Sequence, residues 1–152
     1  MSPFNAFMFI QGLETLALRM KEHSKNGAMV AEFLQNHPKV ERVSHPSVAD
    51  GFKKERAENY LNGGCGGLMG FEIKGGLESG KKFIESLEMF YHVANIGDSK
   101  SLAIHPASTT HSQLNEEELL SGGVSPGYIR LSIGLEHIDD ILEDLGNALD
   151  KS

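Results

Sequence analysis

The sequence predicts a two-layer α+β domain preceded by one very long helix. Three observations carry this prediction. Apolar residues recur at helical period over positions 1–36, four short strand-like segments follow with helical stretches between them, and no repeat or low-complexity linker interrupts the 152 residues. The division expected is therefore 1–36 for the helix and 37–152 for the α+β domain.

Ser2-Pro3 opens the helix and His37-Pro38 closes it, because proline suits a first helical turn and pushes the residue before it out of helical geometry. Phe9, Leu13, Leu16, Met20, Ala28, Phe33 and Leu34 hold the period between them, as one rod or as two joined near Gly27. At 1.5 Å per residue the rod would span roughly 50 Å, whereas a globule of this length has a radius of gyration of about 15 Å, so the helix outruns its domain. Phe4, Phe7, Met8, Phe9 and Ile10 surround most of its circumference, where a solvent-facing helix keeps a polar side. A loose apolar end, a homodimer seam and a surface meant for another domain are the three readings.

Val40 to Val43 is the first strand, and Phe52 to Leu61 a surface helix of mixed charge running into the glycines around Cys65. Leu68 to Lys74 alternates into a second strand, Ser79 to Phe90 is helical, and His92 to Ile96 is a third strand. A polar stretch from Gly97 to Ser112 follows. Asn115 then precedes Glu118 at the spacing of a capping box. The fourth strand, Tyr128 to Ile133, points Ile129, Leu131 and Ile133 one way and Tyr128, Arg130 and Ser132 the other; a helix from Ile138 to Leu149 ends the chain.

Fourteen Lys and Arg against twenty-one Asp and Glu give a net charge of −7, so there is no basic stripe for nucleic acid or an anionic membrane surface. The single cysteine, Cys65, excludes an intramolecular disulfide and a structural zinc site built on several thiolates. With no basic leader and no apolar run near about 18 residues, a cytoplasmic protein is expected.

Several motifs have plainer accounts. Gly75 to Lys82 resembles a phosphate loop, but Lys82 stands where a Ser or Thr would hold magnesium, and a Gly-Gly turn explains it better. Cys65 reads as a small group in a glycine turn rather than a nucleophile. His105 and His111 lack the spacing and companions of a metal site, and a hydrogen-bonded loop is expected there. Arg130 leaves two readings open. It is an arginine on a solvent face, or a guanidinium whose planar fork takes a carboxylate in two parallel hydrogen bonds.

Ala94-Asn95-Ile96-Gly97-Asp98-Ser99-Lys100-Ser101-Leu102, His105 to Ser112, Gly123-Val124 and Ile129 to Glu136 closely resemble the C-terminal domain of the Cys/Met-metabolism pyridoxal-phosphate enzymes. The nearest branch is similar to O-acetylhomoserine sulfhydrylase, or homocysteine synthase, and the opening segments resemble that family's interdomain helix. The resemblance implies the small domain of an aspartate-aminotransferase-type (fold type I) enzyme, a mostly antiparallel four-stranded sheet with helices on one face. It implies that Arg130 clamps the substrate α-carboxylate, with Asn95 and Thr110 beside it.

It also implies a transferase of methionine and cysteine biosynthesis that acts on O-acetylhomoserine as a homo-oligomer. The pyridoxal phosphate and its Schiff-base lysine belong to a larger upstream domain. None of the ten lysines here has the expected serine-rich context, so this chain alone is expected to bind no cofactor and to turn nothing over. The competing expectation is a stand-alone module that binds amino acids or carboxylates, or that dimerises, without catalysis.

Overall fold

Ser2 starts the first helix by turning its hydroxyl back to accept the amide of Asn5 (3.3 Å), with Pro3 in the first turn. The computed structural model describes residues 1–152. Helix α1 (Pro3–Glu14) is followed by α2 (Leu16–Gln35). The break falls at Thr15 and not near Gly27, and Arg19 spans it by donating to the Gly12 carbonyl (2.6 Å). Gly27 lies buried within α2 for a different reason. A Cβ there would sit 2.5 Å from the Gly66 carbonyl oxygen, so this glycine lets the loop at 63–67 pack directly on the helix.

The rest of the chain runs β1 (Val40–Ser44), α3 (Gly51–Tyr60), β2 (Leu68–Ile73), α4 (Gly76–Ser86), β3 (Tyr91–His92), β4 (Leu102–Ile104), α5 (Glu116–Ser121), β5 (Tyr128–Ser132) and α6 (Ile138–Lys151). The α+β class holds, and the sheet differs from the expected four-stranded antiparallel one. It has five strands in the order β1-β2-β5-β4-β3, and β3 pairs with β4 in parallel.

The discrepancy arises between residues 91 and 104. Past His92 the predicted third strand dissolves into local bonds, Val93 N–H to Tyr91 O (3.0 Å) and Asn95 N–H to Val93 O (3.1 Å). Leu102–Ile104, hidden in a stretch that reads as polar loop, is a strand of three residues with every one buried, too short for alternation to show. Helix α4 likewise begins and ends earlier than predicted. Gly75 takes a positive φ of 95° at its start, and the Asp144 carboxylate accepts the amides of Glu88 (2.9 Å), Met89 (3.0 Å) and Phe90 (3.4 Å) beyond its end.

One face of the sheet carries the core. Ile129, Leu131 and Ile133 of β5 and its extension are fully buried with Phe71 and Met69 of β2, under Val30, Ala31 and Leu34 of α2, Phe83 of α4, and Ile141, Leu145 and Leu149 of α6. Phe71 and Phe83 meet edge to face at 5.3 Å between ring centroids. Lys39 closes α6 by donating to the carbonyls of Leu149, Asp150 and Ser152 (2.8–3.0 Å). The Asn115–Glu118 capping box forms as its spacing predicts.

The core sends no apolar partner to α1, in which no residue is buried. No helix is long and apolar enough to cross a membrane.

Candidate functional site

The face of the sheet turned away from the core is defined by β5. Tyr128, Arg130 and Ser132 share it, and register fixes their neighbours: Glu72 opposite Tyr128, Gly70 and Ile104 either side of Arg130, Leu68 and Leu102 either side of Ser132. Gly70 has a steric reason to be glycine. A Cβ on it would overlap the Tyr128 ring, which therefore lies across the β2 backbone next to the arginine. Towards the β1 edge this face opens into a groove between β1 and α3 of about 970 Å³, with Arg42, His45, Arg56, Tyr60 and Tyr128 among its walls.

Arg130 is half-buried, and its charge is uncompensated. The chain's ion pairs take up Arg42 (with Glu72, 3.1 Å) but not Arg130, so the one carboxylate opposite Tyr128 is turned to another partner. Arg19 is held by the Gly12 carbonyl, and Arg56 lies 5.4 Å over the Phe52 ring. The Arg130 guanidinium makes a single long hydrogen bond, Nη2 to the Asn95 carbonyl oxygen at 3.5 Å. A planar donor fork fixed on a strand interior, with most of its N–H groups free, is matched to a carboxylate.

Asn95 thus reaches Arg130 through its backbone; its side-chain oxygen accepts the amide of Ile96 (2.9 Å). The loop carrying it is tied to the sheet at Ser132, whose hydroxyl accepts the Gly97 amide (3.1 Å). Thr110 is exposed and paired with His111 (Oγ1 to Nδ1, 2.8 Å), with no hydrogen bond to Arg130 or Asn95. The structure therefore joins Asn95 to Arg130 by a hydrogen bond and shows none from Thr110 to either.

The segment after β4 is the hydrogen-bonded loop that the sequence suggests. His105 is fully buried, donates from Nε2 to the Pro126 carbonyl (2.7 Å) and accepts the Ser108 hydroxyl at Nδ1 (2.8 Å). Burial pushes its pKa below the ordinary imidazole range, partly offset by the bond to Pro126. Gly80 packs against this ring so closely that a Cβ would come within 2.5 Å of Nε2.

Two features escape sequence reasoning. One is the tether from Ser132 to Gly97, although strand alternation already puts Ser132 on the arginine's face. The other is the brace between Ser101 and Glu136: the carboxylate accepts the Ser101 amide (2.7 Å) and hydroxyl (2.9 Å), and the same hydroxyl accepts the Gly134 amide (2.9 Å). Neither involves residues at a fixed spacing, since Ser132 and Gly97 lie 35 positions apart.

A family model described as Cys/Met metabolism PLP-dependent enzyme matches residues 1–150. The chain belongs to that family. It is 58% identical over 149 residues to the O-acetyl-L-homoserine sulfhydrylase of Leptospira meyeri, covering 97% of this chain and 34% of that protein. It is 44% identical to the homocysteine synthase of Schizosaccharomyces pombe, covering 98% of this chain and 35% of the relative. A crystal structure described as an O-acetylhomoserine (thiol)-lyase from Campylobacter jejuni, containing N'-pyridoxyl-lysine-5'-monophosphate, superposes with a TM-score of 0.88 at 45% identity, over 99% of this chain and 36% of that one. The chain thus spans about a third of the length of the curated relatives it matches.

Proposed function

We propose that this chain is the carboxylate-holding part of a pyridoxal-phosphate-dependent O-acetylhomoserine sulfhydrylase of methionine and cysteine biosynthesis. Residues 37–152 form its small C-terminal domain, and residues 1–36, the helices α1 and α2, join it to the cofactor-bearing part and to the other subunits of a homo-oligomer. The observation that carries the reading is Arg130, half-buried on a strand and lacking a carboxylate partner. The names of the relatives supply the substrate class.

In this role Arg130 grips the α-carboxylate of O-acetylhomoserine through two N–H donors. The grip fixes the amino acid relative to whatever acts on its α carbon, which is catalysis by positioning. Asn95 and Thr110 flank the same carboxylate, Asn95 from the loop beside Arg130 and Thr110 from the loop after β4. The exposed apolar face of α1 fits a helix packed against further protein, and this favours the multi-part enzyme over a free-standing binding module.

Five of the ten lysines are engaged in ways that disfavour a Schiff base with pyridoxal phosphate. A Schiff-base lysine needs an amine that loses its proton readily. Lys39 and Lys74 donate to backbone carbonyls, Lys25 and Lys81 pair with glutamates, and the Tyr91 hydroxyl raises the pKa of Lys100. None is hydrogen-bonded to Arg130, Asn95 or Ser132. The family match and the one-third share of the relatives covered support assigning the cofactor and its lysine to the part that this chain does not cover.

The test is a chimera in which this chain replaces the equivalent third of the Leptospira meyeri enzyme. It should convert O-acetyl-L-homoserine and sulfide. Arg130→Ala should raise KM about 10²- to 10⁴-fold, from roughly 1.5–3 kcal/mol for each of two charged hydrogen bonds. Unchanged kinetics in that variant would refute the clamp. Borohydride reduction of the 152-residue chain with pyridoxal phosphate should leave no specific pyridoxyl-lysine, and finding one would overturn the assignment of the lysine elsewhere.

A further inference from the structure

We infer that Ser132 is a positioning residue for the carboxylate grip, acting on Arg130 through the loop at 93–98; this rests on the clamp reading of Arg130. The loop supports itself poorly. All its residues are exposed, and its internal hydrogen bonds span no more than two positions: Val93 to Tyr91, Asn95 to Val93, Ile96 to the Asn95 side chain, and Lys100 to the Asp98 side chain. Such local bonds leave the loop free to swing as a unit.

Two hydrogen bonds join its middle to the sheet, and both come from the outer face of β5. One is the long contact from Arg130 to the Asn95 carbonyl (3.5 Å). The other is the Gly97 amide donating to the Ser132 hydroxyl (3.1 Å), with Gly97 at a φ of 76° that glycine adopts without strain. Ser132 is buried and built into a strand paired on both sides, so its hydroxyl is a fixed point. Holding Gly97 there holds Asn95 two residues away, and the Asn95 carbonyl then takes one corner of the guanidinium. A guanidinium pinned at one corner presents its remaining donors in one plane, which a two-point carboxylate contact requires. Ser132 touches no ligand in this scheme; it orders the residue that does.

The experiment uses the ¹⁵N-labelled 152-residue chain, whose four arginines give four Nε–H signals, with Arg130 assigned by its loss in Arg130→Lys. The ¹H–¹⁵N heteronuclear NOE of Arg130 should approach that of strand amides in the native chain, fall in Ser132→Ala and recover in Ser132→Thr, which keeps the hydroxyl. Gly97→Ala, which strains the tether from the loop side where a Cβ has open space, should fall in the same way and serves if Ser132→Ala does not fold. A mobile Arg130 in the native chain, or one equally ordered in both variants, overturns the inference.

Titration with O-acetyl-L-homoserine separates this from the clamp itself. The Arg130 signal should shift, and Ser132→Ala should need about three- to tenfold more ligand, the usual worth of one hydrogen bond. A native Arg130 signal that does not respond refutes the clamp, whatever the order measurements give. A response of equal affinity in Ser132→Ala refutes the positioning role alone.

Discussion

The two faces of β5 share five residues of backbone and little else. On one, Ile129 and Leu131 are fully buried under three helices; on the other, Arg130 is half-buried with one 3.5 Å hydrogen bond and no counter-charge. The inner face is satisfied within this chain, so its residues answer to packing. The outer face leaves Arg130 without a carboxylate partner in this chain, and on the proposed function a ligand supplies one. Substitutions on the two faces should therefore separate stability from binding.

The largest effect is expected from the inner face. Phe71→Ala removes a fully buried ring stacked edge to face on Phe83 and should cost about 3–5 kcal/mol in urea denaturation. Arg130→Ala, measured in the same way, should change stability by no more than about 0.5 kcal/mol. A loss comparable to that of Phe71→Ala would make the arginine a structural group and remove the contrast.

Next in size is the brace behind the core. Asp144→Ala leaves three backbone amides without their carboxylate and should cost about 2–3 kcal/mol, whereas Asp144→Asn keeps an acceptor and should cost less. Equal losses for the two would mean that packing, and not the amide nest, fastens α6 to the segment after α4.

Smaller again is the response to pH. Burial lowers the pKa of His45 and of His105 below the ordinary value of 6.5. The unfolded chain then takes up protons that the folded chain refuses, so stability is full above pH 6.5 and declines as pH falls from there towards the folded values. Each group contributes at most about 1.4 kcal/mol per pH unit within that window. Denaturation midpoints at pH 7.5 and 5.5 should show the decline, and His105→Gln should flatten it even if it lowers stability at both.

What the sequence discloses follows the same division. Alternation in Tyr128 to Ile133 separates core from open face before any coordinates, because burial on one side imposes a period of two. The capping box at Asn115 is visible because its two residues are three apart. The strand Leu102–Ile104 is not visible, since three residues buried on both faces show no period. The break at Thr15 is equally hidden; what marks it is Arg19 reaching back to the Gly12 carbonyl, a contact with no signature beyond ordinary helix-forming residues. At the site, Arg130 stands out as an arginine between aliphatic residues. Its hold on Asn95 and the tether at Ser132 join positions 35 apart, and only folding brings them together.

The smallest effect on stability should come from the most apolar helix. In α1, Phe4 is 71% and Phe9 63% exposed, whereas in α6 Leu145 is fully buried, so two helices of similar length differ in whether this chain supplies a partner. Phe4→Ser with Phe9→Ser should leave the denaturation midpoint within the error of about 0.5 kcal/mol, and Leu145→Ser alone should cost several times that. The same double variant should lower self-association in sedimentation velocity, since an apolar face of this size in water seeks cover from whatever is present. A midpoint that falls with the double variant would mean that α1 folds back onto the body of this chain in solution, and its apolar face would then belong to the same category as the inner face of β5.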